Sequence, residues 1–279
     1  MASFRTWVPR SAFYPPFPGV ELLHAGEPFR IVAQRAILHP NIATHYGLED
    51  VRGYAAMTLE RYAAVEPLWS IPQPTWSNRV ETFEPPFLSL MNVRFAIAKH
   101  AWTIPPTWRV LKAFDAYDII ENTRVLPRAF VPTAVHTGVT RAEAFHGVET
   151  CSDFGAVGWI EGGERGTATN GPGTVTTRPI GSKLDMHASM ANDGWIVVSE
   201  SAWNGWHATV DGHPALVRIA DSTFLGVRVP KGEHHVRLVY RPTSFVVGGG
   251  ISAVTLLVLS TLCTVHSPLC TRKRSRARP

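Results

Sequence analysis

Glu49, Asp50 and Arg52 form a dense charged cluster bounded by Gly47 and Gly53. A carboxylate pair can support acid/base chemistry, and all three side chains can contact a polar head group or a sugar. The plainer role is to fix a loop: Asp50 and Arg52 hydrogen-bond it while the glycines supply the turns. With no nucleophile beside them, loop fixing is the expectation. A second candidate is Trp203-Asn204-Gly205-Trp206. Exposed indole rings stack on the apolar faces of sugars, so Trp203 and Trp206 can form a carbohydrate platform. Large rings beside a glycine turn more often serve as core or edge packing, given the area each buries, and packing is the expectation.

Other polar residues point away from chemistry. His207, His213, His234 and His235 are near in sequence. Neighbours on a strand face opposite ways, so His234 and His235 cannot hold one metal together. No metal and no cofactor is expected. Asp211-Gly212 reads as a type I′ hairpin turn in which glycine accepts positive φ. The glycines between 158 and 173 contain no GxxxxGK[ST] pattern, and neither GxSxG nor HExxH occurs. Cys151, Cys263 and Cys270 show no CxxC spacing. No catalytic residue is assigned.

The elements that must hold these residues differ between the two halves. Residues 1–27 read as irregular, with Tyr14-Pro15-Pro16-Phe17-Pro18-Gly19 opposing helix and central strand alike. From 28 to 154 the pattern is mixed α and β. Phe29–Ala33 reads as a strand and His39–Gly47 as a loop or short helix. Met57–Trp69 reads as a helix capped by Thr58, and Phe87–Met91 as a helical turn. Val93–Ala98 reads as a strand, and 108–114 with 117–122 as a hairpin. Ala129–Val135 reads as one edge strand because of Pro132, and Arg141–His146 as a short helix. Gly-rich 155–173 reads as a link.

From 174 to 243 short strands recur at 174–180, 183–190, 194–201, 206–211, 214–220, 223–229 and 233–240. Turns such as Asn192-Asp193-Gly194, Asp211-Gly212 and Lys231-Gly232 separate them. This is the pattern of an antiparallel β-sandwich. In its last strand His234, Val236, Leu238 and Tyr240 share one face.

Phe245 to Val265 carries no charged residue. At ~1.5 Å per residue it is long enough to cross a bilayer core about 30 Å thick. A transmembrane helix over 244–266 is therefore expected, and Gly249 with Ala253 offers a face on which a further helix can pack. The chain holds 27 Lys+Arg against 22 Asp+Glu. Five of the basic residues follow the span (Arg272, Lys273, Arg274, Arg276 and Arg278), so the remainder is neutral. That balance opposes a nucleic-acid partner. Positive residues flanking a span stay inside, which makes 267–279 a cytoplasmic tail and places the main domain outside the cell membrane.

At these residues a family resemblance appears. Trp203-Asn204-Gly205-Trp206, Val210-Asp211-Gly212, Val229–His234 and Tyr240–Phe245, then a span from Gly248, resemble the C-terminal end of YfhO-like bacterial membrane proteins. Tyr46–Tyr54 and Glu121–Phe130 agree, so the resemblance runs from about residue 28 to about residue 262. It implies multi-spanning proteins related to lipid-linked-sugar glycosyltransferases, some implicated in glycosylating cell-envelope polymers. Their catalytic carboxylate sits in an early loop with no counterpart here. The implied role is a non-catalytic, extracytoplasmic accessory region acting on a glycan or lipid-linked sugar, beside the helices of a multi-span partner. The alternatives are a stand-alone carbohydrate-binding module on an anchor and a structural envelope protein. No signal peptide precedes the domain. The chain is therefore expected to be a C-terminal fragment or to work beside a separately encoded multi-span protein.

Overall fold

The structure, a computed structural model, describes residues 14, 16–24, 29–53, 57–72, 79–180 and 183–274, with 179–180 and 265–274 by backbone alone. The expected irregular segment 1–27, Tyr54 at the end of Tyr46–Tyr54 and the tail 267–279 lie wholly or partly outside those residues.

The first half builds one five-stranded sheet in the order β2-β1-β3-β5-β4. Its strands are β1 (Arg30–Ala33), β2 (Glu49–Asp50), β3 (Val93–Lys99), β4 (Trp108–Ala113) and β5 (Tyr117–Asn122). Strand β1 runs parallel to β2 and β3, and β5 pairs antiparallel with β3 and β4. A 3-10 turn over Pro40–Tyr46 returns the chain from β1 to β2.

The helix expected from Met57 to Trp69 is shorter, Glu60–Val65, and tightens into a 3-10 turn over Glu66–Leu68. Pro67 lies in that turn and lacks the N–H that would extend an α-helix. Leu59, not Thr58, is the N-cap, and no side chain caps the helix.

Pro132 also corrects an expectation. Instead of one strand there are two, β6 (Ala129–Phe130) and β7 (Ala134–Val139). Pro132 cannot donate to a ladder, and the chain changes neighbours there: β6 pairs with a later strand, and β7 lies one place in from the opposite edge. The helix after β7 runs from Arg141 to Thr150 and begins with a capping box. Thr140 accepts from the Glu143 N–H, while the Glu143 side chain accepts from the Thr140 N–H.

Residues 155–173, expected as a link, carry β8 (Val157–Glu161) and β9 (Gly166–Thr169). Strand β7, the capped helix and parallel β8 form a crossover unit, the usual way to join parallel neighbours. Gly147 lets that helix settle on β8: an added Cβ would meet Trp159 at 2.2 Å.

The remaining strands follow the expected spacing. They are β10 (Gly173–Ile180), β11 (Lys183–Met190), β12 (Gly194–Val198), β13 (Trp206–Val210), β14 (His213–Ala215), β15 (Val217–Ala220), β16 (Phe224–Val229) and β17 (Gly232–Tyr240). The segment expected over 214–220 is split between β14 and β15. The strands sort into a seven-stranded sheet, β6-β12-β16-β15-β8-β7-β9, and a five-stranded sheet, β10-β11-β17-β13-β14. Met186, Ala188, Val236 and Leu238 of the second meet Ile196, Val198, Leu225 and Val227 of the first, which makes the sandwich core.

At β12 the seven-stranded sheet is buried on both faces. Ile196 and Val198 of β12 join the sandwich core, while Trp195 and Val197 point into a cluster with Val32, Phe87, Val93 and Phe224. That cluster draws on residues from both halves, so the fold is continuous across 155–173. Tyr240 leads through Arg241 and Pro242 into a helix from Thr243 to Arg274. Its segment Thr243–Thr264 has a mean hydropathy of 2.0, and none of it is buried against the rest of the protein.

Candidate functional site

The first candidate cluster is divided by its strand. Asp50 and Arg52 are withdrawn from solvent, with side-chain exposures of 2% and 0%. The Arg52 guanidinium donates to Asp50 Oδ2 at 2.6 Å, to the Arg35 carbonyl at 2.6 Å and to the Leu38 carbonyl at 2.5 Å. Asp50 Oδ1 also accepts the Arg52 backbone N–H at 2.9 Å. The pair closes the segment between β1 and β2, and its hydrogen bonds are spent within the fold. A buried charge is tolerated only when paired in this way.

Glu49 faces the other way, as alternation along β2 requires. Its carboxylate lies 2.7 Å from Arg128 and 3.6 Å from Arg30. Glu200 bridges the same two arginines at 2.8 and 3.0 Å. These four residues tie the first sheet to the ends of β6 and β12. The three residues predicted as one site are therefore a loop lock and one corner of an inter-sheet clamp.

The second candidate stays together. Trp203 and Trp206 line one groove of ≈ 380 Å³ with Glu60, Arg61, Asn204 and Arg218. Trp203 is 53% exposed. Trp206 is half-buried; it opens β13 opposite Tyr240 of β17, with ring centroids 5.3 Å apart. Gly205 between them has φ of 116°, a conformation that favours glycine. Its carbonyl accepts the Arg241 N–H at 2.7 Å. A Cβ on Gly205 would lie 2.8 Å from the Pro242 Cα. The aromatic loop is thus seated on the residue that precedes the apolar helix.

Arg61 is held by Glu161 at 2.8 Å and donates to the Ser222 carbonyl. Arg218 lies against Gly162 and Gly163 and has no carboxylate partner among the described residues. A cavity of ≈ 510 Å³ elsewhere lies between Phe83, Trp108, Arg124 and Asp153. Trp108 donates there to the Phe83 carbonyl, and Asp153 accepts the Gly155 N–H.

Asp211 and Gly212 form the expected tight turn, both with positive φ. Asp211 accepts from His234 at 2.7 Å and from the His235 N–H at 2.8 Å. The His234 hydrogen bond holds the Asp211 carboxyl below its ordinary range and raises the imidazole in return. His235 instead lies 3.5 Å from Asp185, so the two histidines diverge. Among the described residues no group of three or more His, Cys, Asp or Glu could hold a metal.

Asp221 was not anticipated. It occupies the β15–β16 turn with Ser222, both at positive φ, and it is fully buried. Oδ1 accepts the Trp159 N–H at 2.8 Å, while Oδ2 has no hydrogen-bond partner. Burial pushes its carboxyl up to about 7. In sequence, Asp-Ser between strands signals an ordinary surface turn. Strand β8 packs against Asp221 through Gly158 and the Trp159 backbone, an approach no local pattern records.

The model of the family described as bacterial membrane protein YfhO matches residues 168–252. That stretch starts in β9, includes all of the sheet β10-β11-β17-β13-β14 and the Trp203–Trp206 loop, and ends inside the apolar helix. Residues 168–252 are a YfhO-like region. An uncharacterized protein YfhO of Bacillus subtilis (strain 168) is 29% identical over 77 residues. The shared stretch covers 28% of this chain and 9% of that protein. No solved structure matches the chain. The aromatic groove therefore lies partly within the YfhO-like region, whereas Glu49, Asp50 and Arg52 lie outside the match.

Proposed function

We propose that the chain is a membrane-anchored, extracytoplasmic module that assists cell-envelope glycosylation without catalysing it. The observation that carries the anchoring is the junction at 240–243. The last sandwich strand passes into an exposed apolar helix after only two residues, and the Gly205 loop is packed against that junction. Five cations after the span favour a cytoplasmic C-terminus, which puts the domain outside. The glycosylation role rests on the YfhO likeness. The accessory role is supported by the Asp50–Arg52 pair, whose bonding capacity the fold consumes.

The test is labelling of intact cells with a membrane-impermeant maleimide. The chain would have Cys151, Cys263 and Cys270 replaced and one cysteine placed at the exposed Val110. Labelling without lysis is expected; labelling only after lysis would put the domain in the cytoplasm. For the accessory role, sugar transfer from a lipid-linked donor by the purified chain, abolished by Asp50→Asn in a folded variant, would contradict the proposal.

A second reading is favoured by the exposure of Trp203 beside the groove: a carbohydrate-binding module on an anchor. It predicts saturable glycan binding that is lost in Trp203→Ala.

A further inference from the structure

The Trp203–Trp206 loop is fixed to the start of the apolar helix, and that placement decides what faces it. If Thr243–Thr264 crosses a bilayer, Pro242 and Arg241 lie at its boundary. The Gly205 carbonyl bonds the Arg241 N–H, and the Gly205 backbone abuts Pro242. A ring exposed on this loop is then carried to the level of lipid head groups. Trp203 is that ring, and the neighbouring Trp206–Tyr240 pair stiffens its support. Indole and phenol rings favour this depth because one part of the ring is apolar and another part is polar.

The charges agree. Arg241 is exposed on the residue before Pro242, and Arg218 lines the groove beside Trp203. Neither has a carboxylate partner among the described residues. Long basic side chains at a helix end reach for lipid phosphates, and each adds attraction to an anionic surface.

We propose that the Trp203–Trp206 loop, with Arg218 and Arg241, is a bilayer-contact surface that seats the sandwich on anionic lipid head groups. This rests on the membrane-anchored reading above and adds a fixed posture of the domain on the membrane. It does not depend on which side of the membrane the domain occupies.

The test uses the full chain in lipid nanodiscs containing anionic lipid brominated either near the glycerol end or near the chain end. The emission of Trp203 is taken as the difference between the wild type and Trp203→Phe. It is expected to be quenched by the shallow bromines and spared by the deep ones. A Val254→Trp variant reports on the span and is expected to be quenched by the deep bromines. The Arg218→Gln/Arg241→Gln variant is expected to lose shallow quenching in anionic discs relative to wild type. Quenching at Val254→Trp with none at Trp203 overturns the contact surface and leaves the anchor standing. No quenching at either position overturns both. A Trp203 emission that responds to a soluble oligosaccharide and to no bromine makes the loop a sugar platform and overturns the proposal.

Discussion

The Asp50–Arg52 loop and the Trp203–Trp206 loop are alike in sequence, each a short run of chemistry-bearing residues beside a glycine. In the fold they are opposites. Arg52 donates to a buried carboxylate and two carbonyls, and its side chain has no exposure. Trp203 leaves more than half its surface free at the junction with the apolar helix. The difference teaches that residue type nominates a site, whereas unspent surface and bonding capacity decide whether it can meet a partner.

The sharpest way to break this contrast is at Arg52. Arg52→Ala strands the Asp50 carboxylate and frees the Arg35 and Leu38 carbonyls, so it should cost about 3–5 kcal/mol. Thermal melting of the purified chain measures this. A change below about 1 kcal/mol would mean that the pair does not hold the loop.

Asp221 extends the contrast to a buried carboxyl whose second oxygen is unpartnered. Its folded value of about 7 stands above the ordinary 3.8. The folded state therefore keeps a proton that the unfolded chain has lost, and stability falls as pH rises from about 4 to about 7. The full penalty above that window is on the order of 4 kcal/mol. Asp221→Asn should raise the melting temperature at pH 8 and change it little at pH 4. An equal shift at both values would show that the carboxyl does not titrate in this way.

The two tryptophans complete the comparison at smaller scale. Trp206→Ala should cost about 2 kcal/mol, less than the 3–5 of a fully buried ring, because Trp206 is only half-buried. Trp203→Ala should change stability by no more than about 0.5 kcal/mol. Parallel melts check both, and a large loss at Trp203 would make it a packing residue.

How far the sequence foretold this depends on the range of the interactions. The sandwich strands were legible because period-two burial and tight turns are local; in β17, Val236 and Leu238 are buried while Glu233 and Arg237 are exposed. Strand β9 was hidden because all its residues are exposed and two positive-φ glycines, Gly162 and Gly163, precede it, so it resembled a link. The split at Pro132 follows from the missing N–H, but the change of neighbour depends on β12, more than 60 residues later. Asp50 and Arg52 read as loop-fixing residues from their place beside Gly47 and Gly53, and their hydrogen bonds run to Arg35, Leu38 and each other. That Glu49 would turn away to Arg30 and Arg128 follows from the period of a two-residue strand whose existence no pattern announces.

Both readings of Trp203 depend on the helix that follows it. Alkaline carbonate extraction of membranes from cells producing the full chain tests that helix most directly. The account predicts that the chain stays with the membrane pellet after extraction, held by Thr243–Thr264. Release of the chain into the supernatant would contradict it.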